Sequence, residues 1–141
     1  MPYSYIDIDT GADVSMKATG ASLVELFSDS AIGLTNIMVD PDKLKENRQI
    51  PVEIKADSLS DLYFDWLSEI IYIKDVESFL IKKIKIDKLD NKTGIIRATL
   101  IGDSIDPRRQ VLKIDVKAVT YYKFRIEKTD GQWVGEVVFD I

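Results

Sequence analysis

Two groups of carboxylates are the residues best suited to chemistry. Asp7, Asp9 and Asp13 crowd around a break at Thr10-Gly11, and Asp140 precedes Ile141, whose α-carboxylate ends the chain. Asp-x-Asp spacing puts Asp7 and Asp9 on one strand face. Two readings stay open for these three aspartates. Composition favours a solvated strand face ending in a turn, and the alternative is a cation site. At the other end, two negative groups are held close together, and they repel unless solvated, protonated or bridged by a cation. Asp65 and Glu69 stand four residues apart on a helical stretch and read as solvated helix surface rather than an acid/base couple.

The residue types that are missing narrow the chemistry further. The chain has no Cys and no His. Thiol nucleophiles, disulfides, Ser-His-Asp triads and His- or thiolate-bound zinc are therefore excluded within it. Any metal must sit on oxygen ligands, which points to Ca²⁺, Mg²⁺ or Mn²⁺. The formal net charge of −5 argues against tight binding of naked nucleic acid by the whole surface, though not against a local basic patch. No apolar run reaches the length of a membrane span, and Met1-Pro2-Tyr3-Ser4 does not open a signal peptide, so a cytoplasmic protein is expected. At 141 residues, one domain with a sizeable core is expected.

The elements that must position these groups are legible from periodicity. Residues 111–141 read as two strands joined at Asp130-Gly131, a type I′ turn signal in which both central residues take positive φ. With that turn, Arg125 should face Glu136, Phe124 should face Val137, and Tyr122 should face Phe139, which sets Asp140 beside Tyr121. Residues 5–9 and 13–18 read as short strands. Ser22-Leu23-Val24-Glu25 is a capping box, and Leu23, Leu26, Phe27, Ala31, Leu34, Ile37 and Met38 recur at helical spacing over Leu23–Met38. Residues 42–49 read as a surface loop and 50–55 as a strand. Ser58 opens a second helix with its stripe at Leu59, Leu62, Tyr63, Trp66, Leu67, Ile70 and Ile71. Residues 75–77 read as a turn. Strands at 79–89 and 95–101 then flank a turn at 90–94, and 102–110 reads as a polar loop. Lys82, Lys83, Lys85, Lys88, Lys92 and Arg97 make that hairpin basic, and a solvated, edge-protecting face is the ordinary meaning of such a run, ahead of an RNA-binding surface. The expected class is α+β: two amphipathic helices packed on one face of a largely antiparallel sheet built from hairpins.

Three stretches together resemble the archease family. They are Thr10-Gly11-Ala12-Asp13-Val14-Ser15 with Gly20 beyond; the helix pair ending Ile37-Met38-Val39-Asp40 and carrying Leu62-Tyr63-Phe64-Asp65-Trp66; and Val116-Lys117-Ala118-Val119-Thr120-Tyr121 followed by a strand ending Phe139-Asp140-Ile141. The similarity runs in order along the whole chain, implying a single archease-like domain over 1–141. Where the family often has His-Thr before Ala-Asp, this chain has Thr10-Gly11, and Ser15 replaces the Gly that follows. Gln110 and Tyr122 stand where the family often has His.

The resemblance implies an accessory protein and not a catalyst. It would assist the GTP-dependent tRNA-splicing RNA ligase by promoting its guanylylation and turnover, with RNA reached through the ligase. The resemblance also implies a divalent cation, Ca²⁺ or Mg²⁺, held by Asp13, Asp140 and Ile141. On the expected strand Lys117 shares a face with Tyr121, from which it would reach a ligase acid or a nucleotide phosphate. A general chaperone or specificity modulator of a tRNA-modifying enzyme is the alternative. A metal-dependent hydrolase on Asp13 and Asp140 ranks below both, because no positioned base or nucleophile accompanies them.

Overall fold

Side-chain caps start both helices where the sequence places them. In the computed structural model, which describes residues 2–8 (backbone only at 6–8) and 13–141, α1 spans Leu23–Met38. The Ser22 hydroxyl accepts from the Glu25 amide at 3.2 Å, and the Glu25 carboxylate accepts from the Ala21 amide at 2.8 Å. Ser58 caps α2, Leu59–Glu77, by accepting from the Asp61 amide at 3.1 Å. α2 runs through residues 75–77, which are its last turn rather than a separate one. It stops at Ser78, which takes the left-handed conformation with φ +49°.

Among the described residues the helices are joined by a short 3-10 turn at Pro41–Lys43 and by seven strands: β1 (Tyr3–Ile8), β2 (Asp13–Gly20), β3 (Arg48–Lys55), β4 (Phe79–Asp90), β5 (Ile95–Ser104), β6 (Ala118–Thr129) and β7 (Gln132–Asp140). Every pairing is antiparallel, but the strands divide into two sheets, ordered β1-β2-β7-β6 and β3-β5-β4. The class is α+β. One contiguous core joins both sheets and both helices, with Met16, Phe27, Leu34, Tyr63, Trp66, Leu100 and Phe139 fully buried in it. Its polar atoms are satisfied: Trp66 Nε1 donates to the Phe27 carbonyl at 2.9 Å, and the Ser30 and Tyr63 hydroxyls meet at 2.6 Å.

Three further expectations are corrected. Residues 111–117 are not strand; only Leu112 forms an isolated bridge, to Val39, and β6 begins at Ala118. The expected loop at 102–110 begins later, because β5 continues to Ser104 with Gly102 and Asp103 buried. The C-terminal hairpin keeps the expected register only near its turn. Arg125 faces Glu136, their side chains 2.8 Å apart, but Thr120 faces Val138. Residues 121–124 therefore bulge opposite Val137, with Lys123 at φ +53°. The bulge swings Tyr121 outward onto Phe64 of α2, where the rings stack with centroids 4.1 Å apart and 3° between planes. Consequently Phe139 faces Val119 rather than Tyr122, and Asp140 faces Ala118 rather than Tyr121.

Candidate functional site

Alternation along β2 is what aims its first carboxylate. Val14, Met16, Ala18 and Gly20 are buried, which turns Asp13, Ser15, Lys17 and Thr19 to the opposite face. β7 pairs with β2 in the register Val14↔Phe139 and Met16↔Val137, so apolar residues meet apolar residues on the core side. The same register places Asp13 directly opposite Asp140, on the outer face. Asp13 is half-buried and Asp140 exposed. Ala118 of β6 completes the row and adds almost no side-chain bulk beside Asp140. Directly opposed residues on adjacent antiparallel strands bring their Cβ atoms within about 4.5–5.5 Å. Two aspartates from opposite ends of the sequence are thus neighbours.

The other expected site residues lie at the same end of the sheet. Ile141 follows β7 and is half-buried, its side chain packed against the core. The Lys117 amide donates to the Asp140 carbonyl at 2.8 Å, tying the approach to β6 to the end of β7. Lys117 itself is exposed and precedes the strand, so it does not share a strand face with Tyr121 as expected. It lines a cleft of about 260 Å³ against α2, together with Ser68, Tyr72 and Asp75. Asp9 lies outside the described residues, and Asp7 only in its backbone, so the cluster of three aspartates is represented by Asp13. Among the described residues no three Asp or Glu side chains gather at one point. The donors that the fold brings together are all oxygen atoms, the chemistry that suits a hard divalent cation. Asp65 and Glu69 lie away from this row, along a shallow groove with Glu53, Lys55 and Tyr72.

Two polar clamps that the sequence reading did not single out hold the segments around the site. Lys74, with its side chain 6% exposed, donates to the Val116 carbonyl at 2.8 Å and pairs with Asp75 at 2.9 Å and with Asp115. Burial alone would lower its pKa, but the two carboxylates outweigh that and raise it. A lysine three and four residues beyond Ile71 and Ile70 of the buried stripe is the signal that could have found it. The second clamp is Asp103, buried beside Arg109 at 2.9 Å, the Lys45 amide at 3.1 Å and the Gln110 amide at 3.2 Å. Burial pushes this carboxyl up, yet Arg109 and the amide donors outweigh it and hold the pKa at about 2. Gln110 also donates to the Ser104 carbonyl and accepts from the Asp106 amide, so it organises the loop that leads toward 111–117.

Comparison with known proteins bears on the whole chain. Residues 3–141 match the model of the Archease protein family (MTH1598/TM1083). Protein archease of Pyrococcus furiosus is 32% identical over 133 residues, covering 92% of this chain and 93% of that one. Protein archease of Methanopyrus kandleri is 28% identical over 142 residues and spans 100% of both chains. The solution structure of Methanobacterium thermoautotrophicum protein 1598 superposes with a TM-score of 0.85 at 29% identity, over 99% of each chain. An archease from Thermotoga maritima, described as a possible chaperone, shares the fold at a TM-score of 0.66 and 20% identity, over 96% of this chain and 95% of that one. Sequence similarity and fold agree over the full length described, and the chain belongs to the archease family.

Proposed function

We propose that this chain is an activator of the GTP-dependent tRNA-splicing RNA ligase, promoting guanylylation of the ligase and its turnover without being a catalyst itself. The observation that carries the reading is the face-to-face pairing of Asp13 and Asp140 at the open end of the first sheet. In this reading Asp13, Asp140 and Ile141 hold a divalent cation, Ca²⁺ or Mg²⁺. A bound cation would supply positive charge that offsets the repulsion between two adjacent carboxylates on one face. Lys117 stands beside them on a segment pinned by Lys74, and its ammonium group is the contact for a ligase carboxylate or a nucleotide phosphate. The partner is the ligase, and the compartment is the cytoplasm.

No described helix is long and apolar enough to cross a membrane. A second reading, a chaperone or specificity modulator of a tRNA-modifying enzyme, draws support from the bulge in β6, which leaves Tyr121 73% and Tyr122 64% exposed. The test is single-turnover guanylylation of the cognate ligase with and without this protein, comparing wild type with Asp140→Ala. Stimulation by wild type and none by the folded variant is expected. Equal stimulation by both would reduce the carboxylate pair to structure, and no stimulation by wild type would turn the assignment to the second reading.

A further inference from the structure

The second sheet has one face in the core and one in solvent, and the solvent face carries more cations than carboxylates. Ile96, Ala98 and Leu100 of β5 are buried, which turns Arg97 and Thr99 outward. The register puts Lys88 beside Arg97, Lys85 beside Thr99 and Lys83 beside Ile101 on that outer face. Alternate strand residues are about 7 Å apart, so Lys83 and Lys85 form a regular cationic row. Lys92, exposed in the turn between β4 and β5, extends it. Lys82 does not belong to it: it points the other way and donates to the Pro41 carbonyl at 2.7 Å.

Three carboxylates accompany these five cations. Glu53 is taken by Arg97 at 2.9 Å, Asp87 stands 3.9 Å from Lys85, and Asp90 accepts from the Lys92 and Thr93 amides of its own turn. Among the described residues no ion pair engages Lys83, Lys88 or Lys92. This local surplus of positive charge lies on a chain whose formal net charge is −5. Edge protection accounts for lysines on β4, which is an edge strand. It does not account for the lysine at the turn, whereas Arg97 on the central strand already has a cross-strand partner in Glu53.

We propose that the outer face of β4 and β5, centred on Lys83, Lys85, Lys88 and Arg97, binds the phosphodiester backbone of RNA. Charge complementarity selects a polyanion, and the choice of RNA over other polyanions rests on the activator reading above. Lysines contacting phosphates without base readout give binding that tolerates any sequence and weakens steeply with salt.

The test measures fluorescence anisotropy of a labelled 16-nucleotide single-stranded RNA with this protein alone, from 50 to 200 mM KCl. Wild type is expected to bind at 50 mM KCl with a dissociation constant in the range of about 10⁻⁴–10⁻⁶ M. The triple variants Lys83→Glu/Lys85→Glu/Lys88→Glu and Lys83→Gln/Lys85→Gln/Lys88→Gln should each bind at least about fivefold more weakly. Their slope of log affinity against log salt should be shallower by about 2, since each phosphate no longer neutralised removes about 0.7. Lys43→Glu/Lys45→Glu/Lys128→Glu, which changes the net charge equally elsewhere, should shift binding less than about twofold.

Absence of binding by wild type at 50 mM KCl overturns the proposal. So does equal weakening by the control triple, or competition by polyglutamate as effective as by RNA of the same charge. Because no ligase is present, failure here leaves the guanylylation result untouched, and failure of guanylylation leaves this result untouched.

Discussion

Replacing Asp140 by Asn should make the metal-free protein more stable, the reverse of the usual effect of a point substitution. Asp13 and Asp140 are directly opposed across β2 and β7. At a separation of about 5 Å, their repulsion amounts to about 0.8 kcal/mol in a water-like medium and about 3 kcal/mol at an effective dielectric constant of 20. Asp140 is exposed and Asp13 half-buried, which places the pair toward the watery limit, at about 1 kcal/mol. The separation lies inside the screening length of about 10 Å at 0.1 M salt, so the repulsion persists in ordinary buffers. For a chain of 141 residues, 1 kcal/mol corresponds to about 3 °C in Tm. In chelator, Asp140→Asn should therefore melt about 3 °C above wild type. With Ca²⁺ or Mg²⁺ at a hundred times its dissociation constant, wild type should gain about 2.7 kcal/mol, about 8 °C, and the variant almost nothing. The order of melting then inverts between the two conditions. Calorimetry at pH 7 with and without chelator reads both arms. A variant that melts below wild type in chelator would refute the repulsion, and equal metal-induced shifts would refute the cation site.

Two further outcomes follow from the clamps around the site. Lys74→Met should lower stability by about 2–3 kcal/mol, because the buried Val116 carbonyl loses a charged donor while the mostly exposed Asp75 and Asp115 simply rehydrate. Urea midpoints measure this, and faster amide exchange at Lys117 should accompany it. Asp103 has its carboxyl lowered from the ordinary 3.8 to about 2, so it contributes stability that is complete above pH about 4 and is lost as the pH falls through 2. Unfolding curves between pH 5 and pH 2 should show that loss in wild type, and Asp103→Asn should flatten it.

Much of the fold was legible from local patterns. The caps at Ser22 and Ser58, the helical stripes and the Asp130-Gly131 turn are decided by neighbours a few residues apart, so periodicity and turn chemistry suffice to place them. Local rules failed where a distant contact overrode them. Regular alternation predicted Tyr121 beside Asp140, but stacking on Phe64 and the left-handed Lys123 produced a bulge that moved Ala118 into that position. The strand-like alternation of residues 111–117 likewise gave way, because Lys74 captures Asp115 and Val116 from across the chain.

For the candidate site the division is similar. Composition alone determined that any metal chemistry must use oxygen ligands, since no His or Cys is present; periodicity set Asp13 and Asp140 at strand ends, and only the family resemblance joined them as one ligand set. Whether those two carboxylates meet was beyond any local signal, because they come from opposite ends of the chain. Only the tertiary structure decided it, through the burial of Val14 and Met16 against Phe139 and Val137: side chains alternate along a strand, so fixing the apolar register on one face leaves Asp13 and Asp140 no position except opposite each other on the other.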